Sequence, residues 1–140
     1  MKHTSRITRL FASALLLAAA TATAHAAAPA KETLPSGVIV ETVKVGTGAA
    51  PKATDTVVVH YSGTLVDGTE FDSSYKRGQP AKFPLNRVVP CWTEGIQHVK
   101  VGGKAKLTCP GATAYGANGI PGVIPPNATL TFTVEVLGVL

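Results

Sequence analysis

Residues 114–132 read "AYGANGIPGVIPPNATLTF". The stretch ends as an alternating strand, but Gly116, Gly119, Gly122, Pro121, Pro125 and Pro126 make most of it a loop. Its tip is nonetheless apolar, with Ile120, Val123 and Ile124. Apolar side chains on a segment that forms neither helix nor sheet need something apolar to cover. What lies beneath this loop is therefore the question that decides the fold.

The segments on either side supply the elements. Residues 129–140, "TLTFTVEVLGVL", alternate as a long final strand. Upstream, "GVIVETVKVG" (37–46) and "TVVVHYSGTLV" (56–66) read as strands, and Asp67-Gly68 signals a hairpin turn into a return strand, "TEFDSS" (69–74). "YKRGQPAKFPL" (75–85) reads as an irregular arm with two prolines. In "VVPCWTEGIQHVKVGG" (88–103) Pro90 suits a first helical turn and Gly102-Gly103 stop the pattern. Trp92, Ile96 and Val99 make one apolar stripe. "KAKLTC" (104–109) is a further short strand. The pattern predicts an α+β domain: a twisted antiparallel sheet of about five strands around one short helix, with the first and last strands meeting.

The first 26 residues stand apart. A basic start (Lys2, Arg6, Arg9) precedes an apolar run from Leu10 to Ala20 and an A-x-A site at Ala24-His25-Ala26. This is the pattern of a cleaved signal peptide, and the run is shorter than the ~20 residues of a spanning helix. The expected organisation is a signal peptide over 1–26, a flexible segment over 27–36 and a domain over 37–140. The expected location is the periplasm or the medium, with no membrane span after cleavage. The formal net charge is +5, of which the leader supplies +3, leaving about +2. So small an excess gives no reason to expect nucleic acid or anionic lipid as a partner. Export places Cys91 and Cys109 in an oxidising compartment, which favours a disulfide over two separate buried cysteines.

Several motifs are set aside. Gly46–Ala50, "GTGAA", is followed by Pro51 and a strand rather than the helix a dinucleotide site needs. Asn127-Ala128-Thr129 matches a glycosylation sequon but follows Pro-Pro in a chain with a bacterial-looking leader. His60 and His98 fall on different elements, and no metal site or cofactor is expected. No nucleophile motif or acid/base carboxylate pair is visible.

What remains is a set of aromatic, apolar and acidic residues. Tyr61, Phe71, Asp72, Trp92, Tyr115, Phe132 and the loop's Val123-Ile124 converge on one apolar cleft if the sheet wraps the helix. Taken singly, each also reads as ordinary core or turn chemistry. In combination, "VVVHYSGTLVDGTEFDSS", "VVPCWTEGIQHVKVGGKAKLTCP" and "AYGANGIPGVIPPNATLTFTVEVLGV" closely resemble the FKBP-type peptidyl-prolyl cis-trans isomerases in order and spacing, from about Gly37 onward.

The resemblance implies a hydrophobic pocket lined by Tyr61, Phe71, Asp72, Val88, Val89, Trp92, Tyr115, Ile124 and Phe132, with Trp92 as floor. Arg77 is implied in a network with Tyr61 and Asp72. The Tyr115 hydroxyl and the Ile124 N–H are implied to bond substrate or drug carbonyls. Asp72, Tyr61, Tyr115, Ile124 and Trp92 would carry the isomerisation of X-Pro bonds in exported proteins, with no cofactor. Phe71, Arg77, Val88, Val89 and Phe132 would hold the substrate. Proline-containing polypeptides and macrolides such as rapamycin are the implied partners. The alternative is a non-catalytic module that binds proline segments or acts as a chaperone. A monomer is expected, since the long helical extension that dimerises some exported relatives is not seen. The chain departs from the family pattern at Ala81, where an aromatic is expected, so one pocket wall is expected to be more open.

Overall fold

The computed structural model describes residues 30–140. The expected signal peptide lies outside the described residues. Seven strands, in place of the five expected, form one antiparallel sheet: β1 (Lys31–Thr33), β2 (Ile39–Lys44), β3 (Thr56–Thr64), β4 (Glu70–Ser73), β5 (Ala81–Pro84), β6 (Lys104–Cys109) and β7 (Leu130–Val139). Their order is β1-β2-β6-β7-β3-β4, and β5 also pairs with β3. The strand over 39–44 therefore does not meet the last strand; β6 separates them.

The additional strands come from segments that composition reads as irregular. β1 lies within the segment expected to be flexible, where Lys31–Thr33 pair with Ile39–Glu41. Leu34, just beyond, is buried. β5 falls in the proline-bearing arm. Pro84 ends the strand, where its missing N–H interrupts little of the ladder. β3 is long enough to pair with β5 through Thr56–Val59 and with β4 through Ser62–Thr64. Ser74 and the first residues of the same arm form a one-turn helix, α1 (Ser74–Arg77), capped by Ser73 and closed by Gly78 in a left-handed conformation.

α2 spans Pro90–Ile96, ending earlier than the stripe to Val99 predicts. Val99 is still buried, in the turn that follows. Gly95 lets the helix approach β6: a Cβ there would lie 3.0 Å from Leu107 Cδ2. The inward residues of the central strands alternate as their sequences demand. Val57, Val59 and Tyr61 of β3, Ala105 and Leu107 of β6, and Leu130, Phe132, Val134 and Val136 of β7 are all buried. With Leu85, Trp92 and Ile96 they form the core between sheet and helix.

Candidate active site

A pocket of about 370 Å³ opens between α2, β3, β4 and β5. Tyr61, Phe71, Asp72, Phe83, Arg87, Val88, Val89, Trp92, Tyr115 and Phe132 line it. Trp92, at the start of α2, is the hub. Tyr61, Phe83 and Phe132 meet its indole edge-to-face, with centroids at 5.0, 5.3 and 5.3 Å. These perpendicular pairs suit the ring quadrupoles and fix the floor more tightly than aliphatic packing would. The buried indole Nε1–H has no acceptor among the described residues.

Two backbone features aim the walls. In the β3–β4 ladder Gly63 pairs with Asp72 and Thr64 with Glu70, which leaves Phe71 as the extra residue of a bulge. Gly63 also lies opposite Phe132 on β7. A Cβ on Gly63 would stand 2.6 Å from the Phe71 ring and 2.8 Å from the Phe132 ring. Only glycine leaves room for those two rings, which meet edge-on at 5.6 Å.

The polar rim is a closed triad. The Tyr61 hydroxyl donates to Asp72 Oδ2 at 2.5 Å, and Arg77 donates from Nη1 to Asp72 Oδ1 at 2.5 Å and from Nη2 to the Tyr61 oxygen at 2.9 Å. The guanidinium carbon also lies 5.6 Å from the Tyr61 ring centroid. Burial pushes the Asp72 carboxyl up, but hydrogen bonds from Tyr61 and Arg77 outweigh it and hold the group below its ordinary range. Burial, then the hydrogen bond to Asp72, raises Tyr61. Near neutral pH the rim is thus a carboxylate, a phenol and a guanidinium, mutually satisfied.

Eight of the ten residues expected to form the site line the pocket: Tyr61, Phe71, Asp72, Val88, Val89, Trp92, Tyr115 and Phe132. Arg77 stands behind them, bonded to Asp72 and Tyr61. Ile124 does not line it. Its side chain is buried, and its N–H donates to the Ile120 carbonyl at 2.8 Å while the Ile120 N–H returns a bond to Ile124 at 2.9 Å. The loop is closed on itself through this pair, and the Ile124 N–H is engaged within it. At the pocket wall, by contrast, no acceptor for the Val89 N–H occurs among the described residues. Phe83 and Arg87 are pocket residues that sequence reading misses. Phe83 supplies an aromatic wall two residues beyond Ala81, and the period of a strand running beside β3 is the signal that would have found it.

Cys91 and Cys109 have Cα atoms 5.6 Å apart and sulfurs within bonding distance, the geometry of a disulfide between α2 and β6. Among the described residues no group of three or more His, Cys, Asp or Glu could hold a metal ion. No described helix is long and apolar enough to cross a membrane.

The site is thus an aromatic cleft between a helix and an antiparallel sheet, with a satisfied Tyr-Asp-Arg rim. Residues 47–137 match the family described as FKBP-type peptidyl-prolyl cis-trans isomerase, and the chain belongs to it. It is 55% identical over 108 residues to FkpA, an FKBP-type peptidyl-prolyl cis-trans isomerase of Escherichia coli, covering 77% of this chain and 40% of that protein. It is 54% identical over 104 residues to the peptidyl-prolyl cis-trans isomerase FKBP1A of Xenopus laevis, covering 72% of this chain and 96% of that one. The crystal structure of FkpA from Escherichia coli superposes with a TM-score of 0.75 at 53% identity, over 78% of this chain and 51% of that chain. The chain thus spans less than half the length of the FkpA protein it matches.

Proposed function

We propose that the domain is a peptidyl-prolyl cis-trans isomerase that assists the folding of exported proteins. The aromatic pocket carries this reading: its three ring-to-ring contacts on Trp92 make a rigid apolar seat of a size for a prolyl ring and its neighbour. Family membership supports the same reading.

The chemistry asked of such a site is modest. Rotation about an X-Pro bond is slow because it breaks amide resonance, at a cost of ~18–20 kcal/mol. In the twisted transition state the carbonyl oxygen carries less negative charge and the nitrogen is pyramidal. A dry pocket favours that less dipolar species over the planar amide. A pocket shaped to the twisted form adds differential binding, which is what lowers a barrier. A ten-thousandfold acceleration needs about 5.5 kcal/mol of such preference.

Each residue then has a role. Trp92, Phe71, Phe83, Val89 and Phe132 grip the prolyl ring and exclude water. The exposed-rim Tyr115 hydroxyl and the unpaired Val89 N–H hold the flanking carbonyls. Asp72 and Tyr61 set the field beside the rotating carbonyl, with Arg77 holding both in place. Asp72 acts by position and charge, not as a base, because its lowered pKa makes it a poor proton acceptor. The loop over 114–128 frames the pocket through Tyr115, and its Ile120–Ile124 pair keeps it preorganised.

Isomerisation of a short Leu-Pro or Phe-Pro peptide, with and without rapamycin, tests this function. Rapid catalysis blocked by the macrolide is the expected result. A folded protein that binds the peptide without accelerating its isomerisation would make the domain a binding or chaperone module. Signal cleavage after Ala26 would be read from the N-terminus of the exported protein.

A further inference from the structure

The pocket's charge is not balanced. Asp72 is its one lining carboxylate, and Arg77 neutralises it from behind. Arg87 also lines the pocket, and it forms no ion pair and no side-chain hydrogen bond among the described residues. Among the described residues the site thus carries one uncompensated positive charge in its lining. Glu70, the acidic residue nearest to Asp72 in sequence, is bonded to Lys76 at 2.8 Å and does not offset it.

Arg87 is also held in place. It ends a single 3-10 turn, Leu85–Arg87, whose first residue is fully buried. The Leu85 N–H donates to the Asp55 carbonyl at 2.9 Å, and the Thr93 hydroxyl of α2 donates to the Leu85 carbonyl at 2.5 Å. Two residues beyond Arg87, the Val89 carbonyl accepts from the Trp92 N–H at 2.9 Å. The backbone flanking Arg87 is thus hydrogen-bonded on both sides, beside the pocket that its side chain lines. A chain whose proline sat on Trp92 would bring its neighbouring side chains close to Arg87, which shares the lining with Trp92.

We propose that Arg87 is a specificity-determining residue, and that the site prefers polypeptides with an acidic side chain within two residues of the proline. This rests on the isomerase reading for its substrate class but concerns binding alone. A solvent-facing ion pair of this kind is modest, so the preference is about two- to fivefold at low salt. It fades near 0.5 M salt, where screening acts within a few ångströms. An apolar pocket with neutral walls would show none.

The test uses Leu-Pro peptides with Glu, Gln or Lys placed before the Leu or after the Pro. Trp92 is the chain's only tryptophan and forms the pocket floor, so its fluorescence reports binding without turnover. Isomerisation is followed in parallel. The expected order is Glu over Gln over Lys in at least one position, by about two- to fivefold per step. The ratio falls to about one in Arg87→Gln, inverts in Arg87→Glu and persists in Lys82→Gln, an exposed cation on β5 outside the pocket lining. Equal binding of Glu and Gln peptides at both positions, or a preference that survives Arg87→Gln, overturns the proposal. A Glu preference in binding with no isomerisation of any peptide sustains Arg87's role and removes the enzymatic reading instead.

Discussion

Phe71 and Asp72 are neighbours on one strand, yet both line the same pocket. A regular strand would send them to opposite faces. The bulge between Gly63/Thr64 and their partners turns Phe71 so that its ring joins the apolar floor, while Asp72 meets Tyr61 and Arg77 at the rim. One irregularity thus delivers both the hydrophobic and the electrostatic half of the site from a single dipeptide. Asp72→Ala should therefore reduce kcat/KM about tenfold, the loss of one charge-assisted contact at the rotating amide. The ion pair is largely exposed, so stability should fall by only about 1 kcal/mol or less. Peptide isomerisation beside urea unfolding separates the two effects. Asp72→Ala activity equal to wild type would remove Asp72 from the mechanism.

The triad also fixes a pH response. The folded Asp72 pKa is below its ordinary 3.8, so its stabilising contribution is present above that value. It is lost as the pH falls through the lowered folded value. Tyr61 is raised above its ordinary 10.0, so its contribution is complete below that and is lost as the pH rises through the raised folded value. Neither window touches neutrality. Activity per folded molecule should be constant across the neutral range, and Asp72→Asn should remove the acid limb. A midpoint near neutral pH would mean that some other group controls the rate.

Gly63 has a steric role that a larger residue cannot share. A methyl group there overlaps Phe71 and Phe132, so Gly63→Ala should cost about 1–3 kcal/mol by overpacking. It should also displace both rings from the Trp92 floor and weaken peptide binding. Thermal unfolding and Trp92 fluorescence report the two consequences. A variant with wild-type stability and affinity would show that the rings move aside freely.

How far these features are legible in sequence follows from their physics. The valine alternation of β3 and β7 and the Trp92-Ile96 stripe are periodic, and periodicity is what burial on one face writes into a chain. Eight of the residues that the ordered motifs single out line the pocket for a related reason: a motif records side-chain identity, and the lining is built of side chains. The additional strands carry no such signal. Lys31-Glu32-Thr33 have no inward face, and β5 is bracketed by Pro80 and Pro84, so both depend on a partner strand distant in sequence. Ile124 lies outside the lining. Its side chain fits the motif, but its N–H is committed to Ile120 by a backbone pairing that no residue identity records. Arg87 is invisible because an exposed arginine in a short turn is ordinary until the pocket is built around it.

Cys91 precedes the floor residue Trp92, and Cys109 ends the strand that leads through Pro110 to the Tyr115 loop. A bond between them ties the floor of the pocket to the base of its wall. Both side chains are fully buried, and 18 residues separate them in sequence. Closing a loop of that length should contribute about 3 kcal/mol by restricting the unfolded chain. Intact mass without reductant should therefore lie two protons below the reduced mass. Cys91→Ala with Cys109→Ala should lower stability by about that 3 kcal/mol and loosen peptide binding beyond what unfolding explains, measured well below the variant's melting temperature. Trp92 fluorescence should rise in the double variant, since a neighbouring disulfide quenches indole emission. Unchanged mass on reduction would mean two buried thiols. Unchanged affinity in a less stable variant would confine the bond to the fold and take it out of the site.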